Sequence, residues 1–163
     1  MSATRTMGIA VTSVSTTQQL PLGFVYREPA SNDNLGEKHW TYVYNDEAST
    51  AFAEGHVVMR DAGTATYDGV LATTLAPLHR LIGVAQHAIA AGSYGFVLSK
   101  GMGEVQAFDT SADQANDPLI VEGSAGRADV MIAGEEQAVF AHSIENAGTT
   151  AGDLMTCMIN CLG

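Results

Sequence analysis

The chain has 163 residues, 46% of them hydrophobic and only 15% charged, and eighteen Asp and Glu against seven Lys and Arg leave a formal net charge of −11. That length makes one domain with enough chain to bury about 70% of its unfolded surface. So few cations, with no run of them in the sequence, exclude nucleic acid and anionic membrane surfaces, where Lys and Arg must displace counterions; no window approaches the apolar length of a membrane helix.

Residues 1–20 read as an extended N-terminal arm, and residues 21–163 as a single β domain. In the arm, Ser, Thr and Gln dominate, and Met7, Ile9, Val11 and Val14 are the apolar anchors. Ile9 and Val11 alternate as one face of a strand does. A segment this polar is expected to gain order from a partner by strand addition, a neighbouring copy or another protein. These four residues are therefore the candidate contact residues. Met1 to Gln19 lacks the cationic start and long apolar run of a secretory leader.

Past Pro21, Phe24–Tyr26 is a short strand and 27–38 a polar loop full of turn formers. Trp40-Thr-Tyr-Val-Tyr44 alternates, with Trp40, Tyr42 and Tyr44 on one face. Asp46 is placed to cap a short helical turn through Phe52. Strands then follow at His56–Arg60, Ala65–Tyr67 and Val70–Thr74. Next come Leu81–His87 and Tyr94–Ser99, joined by the turn Ala90-Ala-Gly-Ser93. Lys100-Gly-Met-Gly103 is expected to turn tightly into Val105–Phe108. Leu119–Val121, Val130–Ile132, Ala138–Ser143 and Leu154–Cys161 complete the set. The segment 139–162 repeats the layout of 80–101: small residue, polar pair, Ala-Gly turn, apolar strand. Strands at intervals of about ten residues with glycine-bearing turns predict an all-β fold, a compact β-sandwich or barrel of about 8–11 short strands.

Catalytic and metal signatures fail on spacing. None of His39, His56, His79, His87 and His142 stands at metal-ligand spacing. His87 and His142 occupy corresponding points of the two similar segments, as strand-end hydrogen-bonding groups. Gly123-Ser-Ala-Gly126 is a turn, since a nucleophile elbow needs Gly-x-Ser-x-Gly in a strand–turn–helix. Gly101-Met-Gly103 lacks the third glycine of a dinucleotide fingerprint. Asp109, Asp113 and Asp117 do not match a calcium loop. Cys157 and Cys161 lie about 13 Å apart along a strand, too far for a disulfide, and read as reduced, buried and apolar. No catalytic residue, metal or cofactor is expected.

Gly55-His-Val-Val-Met-Arg60, Arg80-Leu-Ile-Gly-Val-Ala-Gln86, Ala90-Ala-Gly-Ser-Tyr-Gly-Phe-Val97, Pro118-Leu-Ile-Val121 and Gly134 through Asn146, in that order, resemble the head decoration (cement) and related structural proteins of tailed bacteriophages. The resemblance covers Gly55 to Leu162; residues 1–54 carry none. It implies a small β domain, often a homotrimer, bound to the major capsid protein on the outer surface of the virion. Such a protein stabilises the head against internal DNA pressure and assembles in the host cytoplasm. The alternative function is a virion or bacterial β-domain that binds a glycan or receptor, again without catalysis.

Overall fold

The computed structural model describes residues 5–6, 8–31, 36–63, 67–108, 115–123, 126–145 and 150–161. The chain is all-β, as its cadence predicts. A small hairpin of β1 (Arg5–Thr6) and β2 (Ile9–Ala10) precedes β3 (Val25–Glu28), β4 (Lys38–Asn45), β5 (Val57–Arg60), β6 (Asp68–Leu71) and β7 (Leu81–Ala85). Then follow β8 (Tyr94–Gln106), β9 (Pro118–Glu122), β10 (Arg127–Val130), β11 (Ala141–Ser143) and β12 (Leu154–Asn160). Single 3-10 turns at Leu78–Arg80 and Glu136–Ala138 are the helical pieces among the described residues.

Strands β3 to β12 form one sheet in the order β10-β9-β11-β12-β8-β7-β5-β6-β4-β3, with β4 pairing to β8 as well. That extra pairing closes β8, β7, β5, β6 and β4 into a five-stranded ring. Each strand contributes a side chain to one core: Val97, Ile82 with Ala85, Val58, partly buried Leu71, and Val43. Phe52 and Ile89 join this core from the connections, exchanging backbone hydrogen bonds of 3.0 and 2.9 Å. The opposite faces of the same strands (Tyr42, Val57, Leu81, Val84, Phe96, Leu98) belong to a larger core with Val105, Leu119, Val121, Met155, Cys157 and Ile159. Burial on both faces explains why β7 reads Leu-Ile-Gly-Val-Ala without alternation and is buried at every position.

The two similar segments are the two hairpins β7–β8 and β11–β12, and they meet where β12 pairs with β8 from Leu154↔Gln106 to Asn160↔Lys100. The expected hairpin at 100–103 is corrected: β8 runs straight through it as one strand of 13 residues. Its first half pairs with β7 and β4, its second with β12. The glycines serve close packing instead of reversal. A Cβ on Gly101 would lie 2.7 Å from the Glu37 carbonyl oxygen, and one on Gly103 would lie 2.5 Å from Leu98 Cδ2.

The expected helical turn from Asp46 to Phe52 is also absent. The buried Asn45 side chain donates to the carbonyls of Ile89 (2.9 Å) and Thr50 (3.1 Å) and accepts from the Glu47 N–H (3.0 Å). Those bonds, with the Phe52–Ile89 pairing, hold the segment open. Elsewhere boundaries move by a few residues, with β6 at Asp68–Leu71 and β10 at Arg127–Val130. In the strand expected at Ala65–Tyr67, residues 65 and 66 lie outside the described residues.

Candidate functional site

The N-terminal segment carries the four expected contact residues. Met7 lies outside the described residues. Ile9, in β2, is half-buried and packs on the larger core, and Val11 belongs to that core at 5% exposure. Beyond it, the Ser15 N–H donates to the Tyr94 carbonyl (3.1 Å) and the Tyr94 N–H to the Ser15 carbonyl (2.8 Å). The Gln19 N–H donates to the Tyr42 hydroxyl at 3.2 Å, and Leu20 is buried. Ile9 and Val11 thus face their own domain, and Val14, 40% exposed, is the candidate that faces outward.

Among the described residues, other large apolar side chains are exposed at Val25 of β3 and in two further regions. Ile144, Leu154 and Met158 lie on and beside the β11–β12 hairpin, and Met102 sits directly opposite Met158. Near the two 3-10 turns, Leu75, Pro77, Leu78 and His79 face Gly134, Glu135, Gln137 and Ala138 across an open groove of about 720 Å³. Leu75 holds a left-handed backbone, φ 54°, and Ile132 nearby in sequence is 67% exposed. Among the described residues, no Phe, Tyr or Trp lines the groove.

Titratable groups are dispersed among structural tasks. His56 accepts the Ala53 N–H at Nδ1 (3.2 Å), and burial pushes its pKa down. Burial does the same to His87, whose two ring nitrogens are buried without a hydrogen-bond partner. His142 stands exposed on β11. Glu135 and Glu136 accept backbone N–H groups of their own turn, from Ile132 (3.0 Å) and Gly134 (3.1 Å). Asp117 donates its N–H to the Ser143 hydroxyl, while Asp109 and Asp113 lie outside the described residues. Cys157 and Cys161 are buried and form no disulfide, and burial raises the Cys161 thiol to about 12. Among the described residues, no three His, Cys, Asp or Glu side chains are grouped to hold a metal. Trp40 is buried, its indole N–H donating to Glu28 Oε2 at 2.9 Å.

The architecture is a closed β ring whose longest strand, β8, continues into further antiparallel strands, with apolar side chains exposed on the outside. One solved structure similar to it is the N base of head fiber gp8.5 of bacteriophage phi29. The likeness has a TM-score of 0.54 at 18% identity and covers 74% of this chain and 92% of that chain. What the two share at that identity is the fold. No family model and no curated protein matches the chain.

Proposed function

We propose that this chain is a structural protein of a phage head, that it decorates the outer capsid surface by binding the major capsid protein, and that it acts without catalysis or cofactor. The observation that carries the reading is the fold held in common with a head fiber base over 92% of that chain. The exposed apolar residues Val14, Ile144, Leu154 and Met158 supply contact area. Many copies on one lattice convert weak single contacts into firm retention, and copies bridging capsomer junctions oppose internal DNA pressure. A homotrimer is the proposed unit, because closed symmetry hides apolar area.

The glycan-binding alternative has less support. Its natural platform, Trp40, is buried and bonded to Glu28, and among the described residues no Phe, Tyr or Trp lines the groove beside Leu75. The test is thermal DNA release from heads assembled with and without the chain. Heads lacking it are expected to release DNA at lower temperature and to regain stability when purified protein is added. Identical release profiles would sink the stabilising role.

A further inference from the structure

The second half of β8 and the β11–β12 hairpin bury every other residue, and the alternate positions Met102, Met158 and His142 are left on the outward face. Met102 lies directly opposite Met158, and Met158 lies directly opposite His142, so the three form one row across three strands. Met158 is 44% exposed, His142 is exposed and Met102 is partly so. The three residues come from separate stretches of the chain, and the sheet register alone unites them. A test of histidine spacing along the sequence passes over such a row, because its neighbours are not neighbours in sequence.

The backbone hydrogen bonds fix how closely the row is spaced. The Ile144 N–H donates to the Thr156 carbonyl and the Asn160 N–H to the Phe140 carbonyl, each at 2.8 Å. Hydrogen-bonded pairs recur at every second residue of an antiparallel ladder, so His142 and Met158 are such a pair, with Cα atoms about 5.5 Å apart. On the other side of β12, the Cys161 N–H donates to the Ser99 carbonyl and the Ala107 N–H to the Asp153 carbonyl, each at 2.9 Å. That phase makes Met158 and Met102 a pair without mutual backbone bonds, the closer kind, with Cα atoms about 4.5 Å apart. Methionine is unbranched and has three rotatable side-chain bonds, so both thioether sulfurs can turn toward one point beside the imidazole. The Thr156 hydroxyl, next along β12, donates to Glu145 Oε1 (2.7 Å) and lies 3.2 Å from Glu104 Oε1, which keeps two carboxylates beside the row. Lys100 is on the other flank, opposite Asn160.

We propose that Met102, Met158 and His142 form a surface site for a soft monovalent metal ion, Cu(I). Two thioethers and an imidazole nitrogen are a donor set that suits copper, whereas Mg²⁺ and Ca²⁺ take oxygen ligands. Neither thioether brings a negative charge, and Glu104 and Glu145 supply it nearby. Contact area for another protein would be served equally by leucine at both methionine positions; what sulfur adds is a lone pair for a soft metal. The site goes beyond the structural role proposed above and does not depend on a place on a phage head.

Nuclear magnetic resonance of the full chain, with its seven methionines labelled at the methyl carbon, reads the site directly. Ag(I), which shares the soft character of Cu(I) and resists oxidation in air, is the probe. The Met102 and Met158 methyl signals are expected to shift together and to stop shifting at one equivalent, while the signal of Met59 in β5 stays in place. Zn(II) is expected to move neither methyl, since it takes nitrogen, oxygen and thiolate ligands. Competition with a coloured Cu(I) chelator, without oxygen, then measures affinity. Met102→Leu/Met158→Leu, which keeps the apolar area, and His142→Leu are each expected to weaken Cu(I) binding ~10-fold or more. Melting curves check that the variants fold, and the titration of the unaltered chain stands without them. Methyl signals of Met102 and Met158 that Ag(I) leaves unmoved would overturn the site. So would a double leucine variant that holds Cu(I) as tightly as the unaltered chain, the result expected if Cys157 and Cys161 were the ligands.

Discussion

His87 is the residue whose environment departs furthest from what its neighbours in sequence suggest. Its ring nitrogens are buried without partners, and burial pushes its pKa below the ordinary 6.5. The unfolded chain takes up a proton as pH falls through 6.5, while the folded one resists until its lowered pKa is reached. Folding stability therefore declines across that window and levels off below it. His56, depressed in the same direction by burial, adds to the decline. Replacing His87 with Leu is expected to flatten the fall of the urea midpoint below pH 6.5, leaving the part due to His56; an unchanged slope would show that His87 titrates normally in the fold. Val11 and Val14 make a second pair of expectations. Val11→Ala removes buried methyl groups from the core and is expected to cost about 1.5 kcal/mol. Val14→Asp is expected to leave stability within about 0.5 kcal/mol and to lower retention on heads, which a pelleting assay reads. None of this was legible from sequence: five histidines scattered among polar and small residues look alike until the fold decides which is enclosed. Asn45 was equally silent, since its three hydrogen bonds reach residues as far away as Ile89.

At the scale of elements, hydrophobic runs were read more accurately than glycines. Leu81–Ala85, Pro118–Glu122 and Leu154–Asn160 fall close to where β-branched and apolar runs placed strands, and the similarity between 80–101 and 139–162 is the similarity of two hairpins. Gly101-Met-Gly103 misled because glycine signals a turn and a close approach with the same letter. Only the packing of β8 against Glu37 and Gln86 distinguishes them. Gly126 makes the steric point testable. It has φ 65°, donates its N–H to the Ala72 carbonyl (3.0 Å) and accepts the Val57 N–H (2.7 Å). A Cβ there would lie 2.5 Å from the Val57 carbonyl oxygen. Gly126→Ala combines left-handed strain with a backbone clash and is expected to cost at least about 2 kcal/mol in denaturant unfolding; a neutral substitution would mean this junction is loose. Deleting residues 2–19 removes Val11 and the Ser15–Tyr94 pairing, and is expected to lower the melting temperature by about 5 °C or more. An unchanged melting curve would show that the segment adds nothing to the domain.

For the whole molecule, the class of fold was legible and its closure was not. Regular strand spacing sufficed for an all-β domain, but a ring of β8, β7, β5, β6 and β4 depends on β4 meeting β8 some fifty residues on in sequence, and no local pattern encodes that pairing. A domain of buried apolar strands carrying exposed Val14, Leu154 and Met158 fits the proposed role of holding other proteins in place. The most direct measurement is cryo-electron microscopy of virions produced with the chain and with its coding sequence disrupted. The expected difference is density for multiple copies at repeated lattice positions on the outer capsid surface, present in the first sample and missing from the second. Heads with identical outer surfaces in the two samples would contradict it.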